Sequence, residues 1–195
     1  MSNTWFASDH HFGHENMMKF FKRDGVTPLR PFVDAEDMDE TIIENHNRVV
    51  KPNDRVYLLG DLAIARRNIF KASRLNGRKK LLMGNHDPFV KNQNRDYFEM
   101  AGIEAVEAFH KFDKFVATHI PVHPSCLSTR WNVNVHGHTH DNLVMKPVVI
   151  TRQTGEIVYA TDLEKADERY INVCMEHINY TPISLEEINA RIDAR

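Results

Sequence analysis

Hydrophobic positions come in short runs separated by polar punctuation, and the period of the runs changes along the chain. Residues 4–8 read as a buried strand that ends in the polar loop from Asp9 to Gly13. Met17, Met18, Phe20 and Phe21 then give a following helix an apolar, core-facing stripe, with a stop near Gly25. Asp34 stands where a helix N-cap belongs, ahead of Met38, Ile42, His46 and Val49 at helical spacing, and Pro52-Asn53-Asp54 breaks that helix. Residues 55–59 and 79–83 read as strands, closed by Gly60 and Gly84, with a short helix over 69–75 between them. The run Arg78-Lys79-Lys80 that enters the second of these strands reads as a solvated edge. A further helix is predicted over 88–100, with Pro88 in its first turn.

The second half is richer in strands, predicted over 103–109, 115–118, 133–136, 143–150, 156–160 and 170–175. Near the end, Ser184 and Glu187 have capping-box spacing and Ile183 with Ile188 forms a hydrophobic staple, so the last residues read as a docked helix. Strand–helix alternation followed by strand-rich sequence argues for a layered α/β fold. With 195 residues and no repeat, linker or low-complexity tract, residues 1–195 read as one domain.

Composition narrows the function classes. Hydrophobic residues make up 42% and charged residues 27%, values that exclude whole-chain disorder. The 25 basic and 27 acidic residues leave a charge of −2, which argues against strong non-specific binding to nucleic acid. No apolar run approaches the roughly 18 residues of a membrane span, and the start has no secretory pattern. Two cysteines far apart, Cys126 and Cys174, fit a reduced, cytoplasmic chain.

Twelve histidines are the unusual feature, and most of them bunch at predicted strand ends. Asp9 and His11 follow the first strand, Gly60-Asp61 the second and Gly84-Asn85-His86-Asp87 the third. His119 and then His136-Gly137-His138-Thr139-His140 follow later strands. The carboxyl ends of strands in an α/β sheet line one crevice, so these residues converge. Aspartate, asparagine and histidine without cysteine make a nitrogen and oxygen ligand set that suits Mn²⁺, Fe²⁺, Zn²⁺, Co²⁺ or Ni²⁺.

Those five blocks, complete and in order from residue 9 to residue 140, resemble the calcineurin-like metallophosphoesterases. The tail from Tyr170 to Arg195 is similar to that of small bacterial and phage members. The resemblance implies a four-layer α/β/β/α sandwich of two mixed sheets and two divalent metal ions, manganese foremost. Asp9, His11, Asp61 and His140 would hold one ion, and Asp61 would bridge to a second completed by Asn85, His119 and His138. It implies hydrolysis of a small phosphoester, nucleotide-like among the options, by a metal-bridging hydroxide. His86 would donate to the leaving oxygen, with Asp87 orienting it and keeping it protonated.

Around this set, His14 could reach the mouth of the site, and Arg66, Arg67 and His123 could touch a phosphate or the rest of the substrate. Each also has a plainer reading, as a solvated helix start, surface arginines and a proline-rich turn. A phosphodiesterase leads. A phosphomonoesterase or a nuclease on the same metal core is the alternative, followed by a non-catalytic scaffold. The segment after Gly60-Asp61 reads Leu62-Ala63-Ile64-Ala65-Arg66, where the protein phosphatase branch has Val-Asp-Arg-Gly. Scaffold members lose the histidine that stands here as His86.

Overall fold

Phe6 at the end of the first strand shows how the layers meet. Its ring stacks on Tyr57 at 5.4 Å and meets Phe115 edge-on at 5.7 Å, and Phe115 stacks on Phe112 at 4.5 Å. Strands β1 (Thr4–Ala7) and β2 (Arg55–Leu58) carry the first two rings and β6 (Phe115–Thr118) carries the third, so two sheets share one interior. The computed structural model describes residues 2–87, 95–127, 131–151, 154 and 157–195.

In the first sheet β1, β2, β3 (Arg78–Leu82) and β4 (Ile103–Glu107) run parallel, and β11 (Ile183–Ser184) joins the β1 edge antiparallel. The second sheet has the order β10 (Tyr170–Asn172), β7 (Val133–His136), β6, β5 (Phe109–Lys111), parallel except for β5. A third, two-stranded sheet pairs β8 (Met145–Thr151) with β9 (Ile157–Ala166) antiparallel. The protein is therefore a mixed α/β fold. Its two larger sheets are stitched together just past β1 and β7, where Ser8 N–H donates to Val173 and Val173 N–H donates to His136.

Helix α1 (Ala35–Val49) starts where the sequence places it, because the Asp34 side chain accepts the Asp37 N–H at 2.8 Å. Helix α2 (Arg95–Met100) covers the end of the segment predicted over 88–100, and residues 88–94 lie outside the described residues. Helix α3 (Leu185–Asp193) is capped by Ser184, which accepts the Glu187 N–H at 3.1 Å.

The strand predicted over 103–109 is split between β4 and β5, in different sheets. The helix predicted over 69–75 is a 3₁₀ segment, Arg66–Arg74. Two further expectations fail. The helix after the first loop is only a 3₁₀ segment, Glu15–Lys19. Met17 is buried, but Phe20 and Phe21 are 47% and 58% exposed, because so short a segment has no extended face to present to a core. Lys79 is not on a solvated edge either. Strand β3 lies between β2 and β4, and the buried Lys79 ammonium donates to the Leu75 carbonyl at 2.7 Å.

His46, buried on α1, accounts for one expected acid sensitivity. Its Nε2 lies 2.9 Å from the Asn76 carbonyl, and burial pushes its pKa down to about 4. The unfolded imidazole protonates near 6.5, so between those values the unfolded chain binds the extra proton. Stability should therefore fall as pH drops from about 6.5 towards 4, by up to ~1.4 kcal/mol per pH unit from this group. Denaturant titrations from pH 7 to 4.5 check this: His46→Gln should flatten the acid slope by one proton's worth.

Candidate metal centre

The strand order brings the predicted loops together, because those after β1, β2 and β3 leave one end of a parallel sheet and those after β6 and β7 leave the stitched end of the other. Backbone bonds lock the first two loops in step: Asp9 N–H donates to Gly60, His11 N–H to Asp61 and Phe12 N–H to Leu62. The result is two clusters, Asp9 with His11 and His140, and Asp61 with His119 and His138. Within each cluster one ligand atom per residue lies within 4.8 Å of the others.

Asp9 is divided between anchoring and binding. Its Oδ2 accepts the His138 N–H at 2.8 Å and lies 2.6 Å from Ser8 Oγ and 3.2 Å from Cys174 Sγ. Its Oδ1 is buried with no hydrogen-bond partner among the described residues, and it faces His140 Nε2 at 3.6 Å and His11 Nε2 at 3.7 Å. Asp61 repeats the division. Oδ1 accepts the His86 N–H at 2.9 Å, while Oδ2 lies 3.8 Å from His11 Nε2 and 3.5 Å from His119 Nε2.

Such separations are long for hydrogen bonds but natural for two ligands of one ion, each about 2.0–2.2 Å from it. Both nitrogens of the buried His11 ring also lack a partner among the described residues. An unsatisfied buried carboxylate oxygen beside an unsatisfied imidazole is costly, and a cation between them removes the cost. The donor set fits divalent metal, and Asp61 Oδ2 lies between a histidine of each cluster.

His119 and His140 are each held through Nδ1, with Nε2 turned towards the clusters. His119 Nδ1–H donates to the Leu59 carbonyl at 2.7 Å, which leaves Nε2 facing Asp61 Oδ2 and Asn85 Oδ1, the latter at 2.9 Å. Burial lowers the His119 pKa, but the Asp61 carboxylate and the Asp9 charge outweigh it and raise the pKa to about 8. His140 Nδ1 lies 3.1 Å from Glu176 Oε1, which also accepts Arg30 Nε–H at 2.7 Å. Burial works against the charged Glu176 carboxylate, yet Arg30 and His140 hold its pKa at about 2. For Asp9 too, the neighbouring imidazoles of His11, His140 and His119 override burial and hold the carboxyl well below the usual range.

Five of the cluster residues have left-handed backbones: Asp9, His11, Asp61, His138 and His140 have φ of 60°, 53°, 53°, 69° and 47°. Non-glycine residues rarely adopt this region, and such outliers concentrate at functional sites. The glycines between them answer to close approach. A Cβ at Gly84 would collide with Asp61 Oδ1, and one at Gly137 with Ser8 Oγ.

The other predicted residues belong to neither cluster. His86 is exposed, belongs to neither cluster and has its ring 5.9 Å from that of His11. His14 is half-buried, 5.6 Å from His11 ring to ring, with an Nδ1 that lacks a partner among the described residues. Arg66 and Arg67 are exposed at the start of a 3₁₀ segment, Arg66–Arg74. His123 caps the turn Pro124–Cys126, its Nδ1 accepting the Ser125 N–H at 3.3 Å.

Asp87 corrects the expectation that it would orient His86. Its carboxylate is buried and accepts three backbone N–H groups, those of Gly84 (2.8 Å), Leu62 (2.9 Å) and Asp61 (3.0 Å). It pins the loop after β3 to the loop after β2. Burial raises its pKa to about 6, even against those three donors. Asp87→Asn turns an amide NH₂ towards donors that need an acceptor. Each bond to a charged group contributes about 1.5–3 kcal/mol, so loss of ~2 kcal/mol should lower Tm by about 4–8 °C in metal-free protein. Calorimetry without metal checks this, with His86→Ala as the control that should barely move.

Fold and site together define an α/β protein with two clusters of potential metal ligands at its strand ends. No family model matches the chain. It is 32% identical over 192 residues to an uncharacterized protein of Methanocaldococcus jannaschii, covering 96% of this chain and 90% of that one, and it belongs to that protein's family. The Gene 66 protein of Mycobacterium phage L5 is 28% identical over 185 residues, 78% of this chain and 84% of that one. Among solved structures, a protein of unknown function from Aquifex aeolicus superimposes with a TM-score of 0.63 at 23% identity, over 97% of this chain and 99% of that one, and shares the fold. An archaeal phosphodiesterase aligns over 82% of this chain and 99% of that one at 17% identity, with a TM-score of 0.43, too loosely to bear on fold or activity. Among the described residues no helix is long and apolar enough to cross a membrane.

Proposed function

We propose that the protein is a dinuclear-metal-dependent phosphoester hydrolase of the calcineurin-like type, most active on phosphodiesters. In this reading the two larger sheets are the inner layers of a four-layer sandwich that forms a single domain. The observation that carries it is the pair of half-anchored carboxylates: Asp9 Oδ1 has no hydrogen-bond partner among the described residues, and Asp61 Oδ2 lies between His11 and His119. Asp9, His11, Asp61 and His140 would hold one cation, and Asp61, Asn85, His119 and His138 the other. Two such cations supply Lewis acidity at the phosphoryl oxygens and a nucleophile near neutral pH.

The chain's own residues do the rest. Glu176 holds His140, and the Leu59 carbonyl holds His119, in the tautomer that turns Nε2 inward. Asp87 and the Gly84 turn fix Asn85 and His86 over the Asp61 carboxylate. His86, whose ring is 5.9 Å from that of His11 and outside the clusters, would donate a proton to the departing oxygen. His14, with its ring 5.6 Å from that of His11, is a further candidate for substrate contact, as are Arg66, Arg67 and His123.

The test is turnover by Mn²⁺-loaded protein on bis-p-nitrophenyl phosphate against p-nitrophenyl phosphate, with metal content measured on the same sample. Two ions per chain and faster diester hydrolysis support the reading. Two ions with no turnover on either ester would count against an enzyme, and one ion against the dinuclear centre.

A further inference from the structure

Beside the centre lies a concavity that the proposed chemistry does not use. It has a volume of 420 Å³ and is lined by Met83, Phe109, Ile120, Cys126 and Trp131, with His119 in its wall. Met83, Phe109 and Ile120 are 39%, 52% and 53% exposed. Single exposed apolar residues are ordinary, but several gathered in one hollow of ligand size mark a binding surface.

The wall is short of free polar groups. Thr118 Oγ is engaged with the Ile120 carbonyl at 2.7 Å and Asn134 Nδ2 at 3.0 Å. His119 spends Nδ1 on Leu59, and its Nε2 faces the metal cluster. An occupant rich in hydroxyls would lose water there without replacement bonds. A flat ring, by contrast, meets the rings of Phe109 and Trp131 and the polarizable sulfurs of Met83 and Cys126, all favourable partners for a π-face.

His119 belongs to both the wall and the cluster, so the hollow continues the reaction site. We infer that this hollow is a subsite for an aromatic substituent of the phosphoester, gripped by its faces and not read by hydrogen bonds at its edge. The inference rests on the proposed phosphoesterase centre, and it sets the preferred substrate as an aryl or nucleobase-bearing phosphoester over an alkyl one.

Cys126 makes the subsite measurable. It is a free, exposed thiol, whereas Cys174 is buried, so alkylation by iodoacetamide should mark Cys126 alone. In Mn²⁺-loaded protein, 1-naphthylmethylphosphonate should slow that alkylation about tenfold, and methylphosphonate at the same concentration should not. 1-Naphthalenemethanol, which lacks the phosphonate, should protect only at about tenfold higher concentration, since it gives up the charge-assisted contact with the centre. Ile120→Asp should raise the protecting concentration of the naphthyl phosphonate about tenfold while the protein keeps its Mn²⁺ content.

Equal protection by the naphthyl and methyl phosphonates, or none by either, would overturn the aromatic subsite. Protection by the naphthyl compound that does not depend on Mn²⁺ would detach the hollow from the centre and overturn its role in substrate binding. Mn²⁺-dependent protection with no hydrolysis of any phosphoester would sink the enzymatic reading and leave an aromatic phosphonate site standing.

Discussion

Asp61→Asn should empty both metal positions at once. Asparagine tolerates the left-handed backbone that Asp61 adopts and can keep an oxygen for the His86 N–H, so fold and loop should survive. The charge is lost, however, and with it the carboxylate oxygen 3.8 Å from His11 Nε2 and 3.5 Å from His119 Nε2. Removing an outer partner of a metal ligand costs roughly 10–100-fold in affinity or activity, and a ligand shared by two sites should exceed that. Elemental analysis after Mn²⁺ loading should find both ions depleted and turnover on bis-p-nitrophenyl phosphate lost with them. His140→Ala is the contrast: it belongs to one cluster and should weaken mainly one ion. An Asp61→Asn protein that still holds two ions would rule out a bridging role.

His86→Ala should separate chemistry from metal binding. The ring is exposed and outside both clusters, and the contact from this residue to Asp61 is made by its backbone N–H, which alanine keeps. Metal content and Tm should therefore hold while turnover falls by about 10²–10⁴-fold, the range for a positioned acid. The loss should grow with the basicity of the leaving group. A p-nitrophenolate needs little protonation, whereas an alkoxide such as a ribose oxygen needs much. Equal losses on both would assign His86 to the phosphoryl oxygens, and loss of metal would make it a ligand.

What could be read from the sequence was what is local. The Asp34 and Ser184 caps each depend on a side chain and an N–H three residues on, and β6 and β7 have the bounds their apolar runs predict. The ligand candidates were legible because each sits at a strand end in a recognisable short motif. Arg30 and Glu176 were not, since they meet across 146 positions and neither carries a motif of its own. A charged residue directly after the strand predicted over 170–175 was the only cue for Glu176. Asp87 misled for the opposite reason: its sequence neighbour His86 suggested a pair, but the turn sends its carboxylate to the backbone of Asp61, Leu62 and Gly84. The burial of Lys79 depended on which strands flank β3, and strand order is not written in any local pattern.

The five left-handed residues bear on how the chain can change over time. Each such conformation costs on the order of 1–3 kcal/mol, so in metal-free protein these loops are a concentrated liability within a fold whose total stability is only about 5–15 kcal/mol. Glycine at any of the five positions would relieve strain while deleting a ligand, so selection for stability alone pulls the sequence away from the site. Aspartate and histidine at these positions, where glycine would carry no strain, point to a demand other than folding. Its counterpart is that cations bound by the folded chain and not by the unfolded one would set much of the margin against unfolding, tying the lifetime of the protein to the metal supply around it.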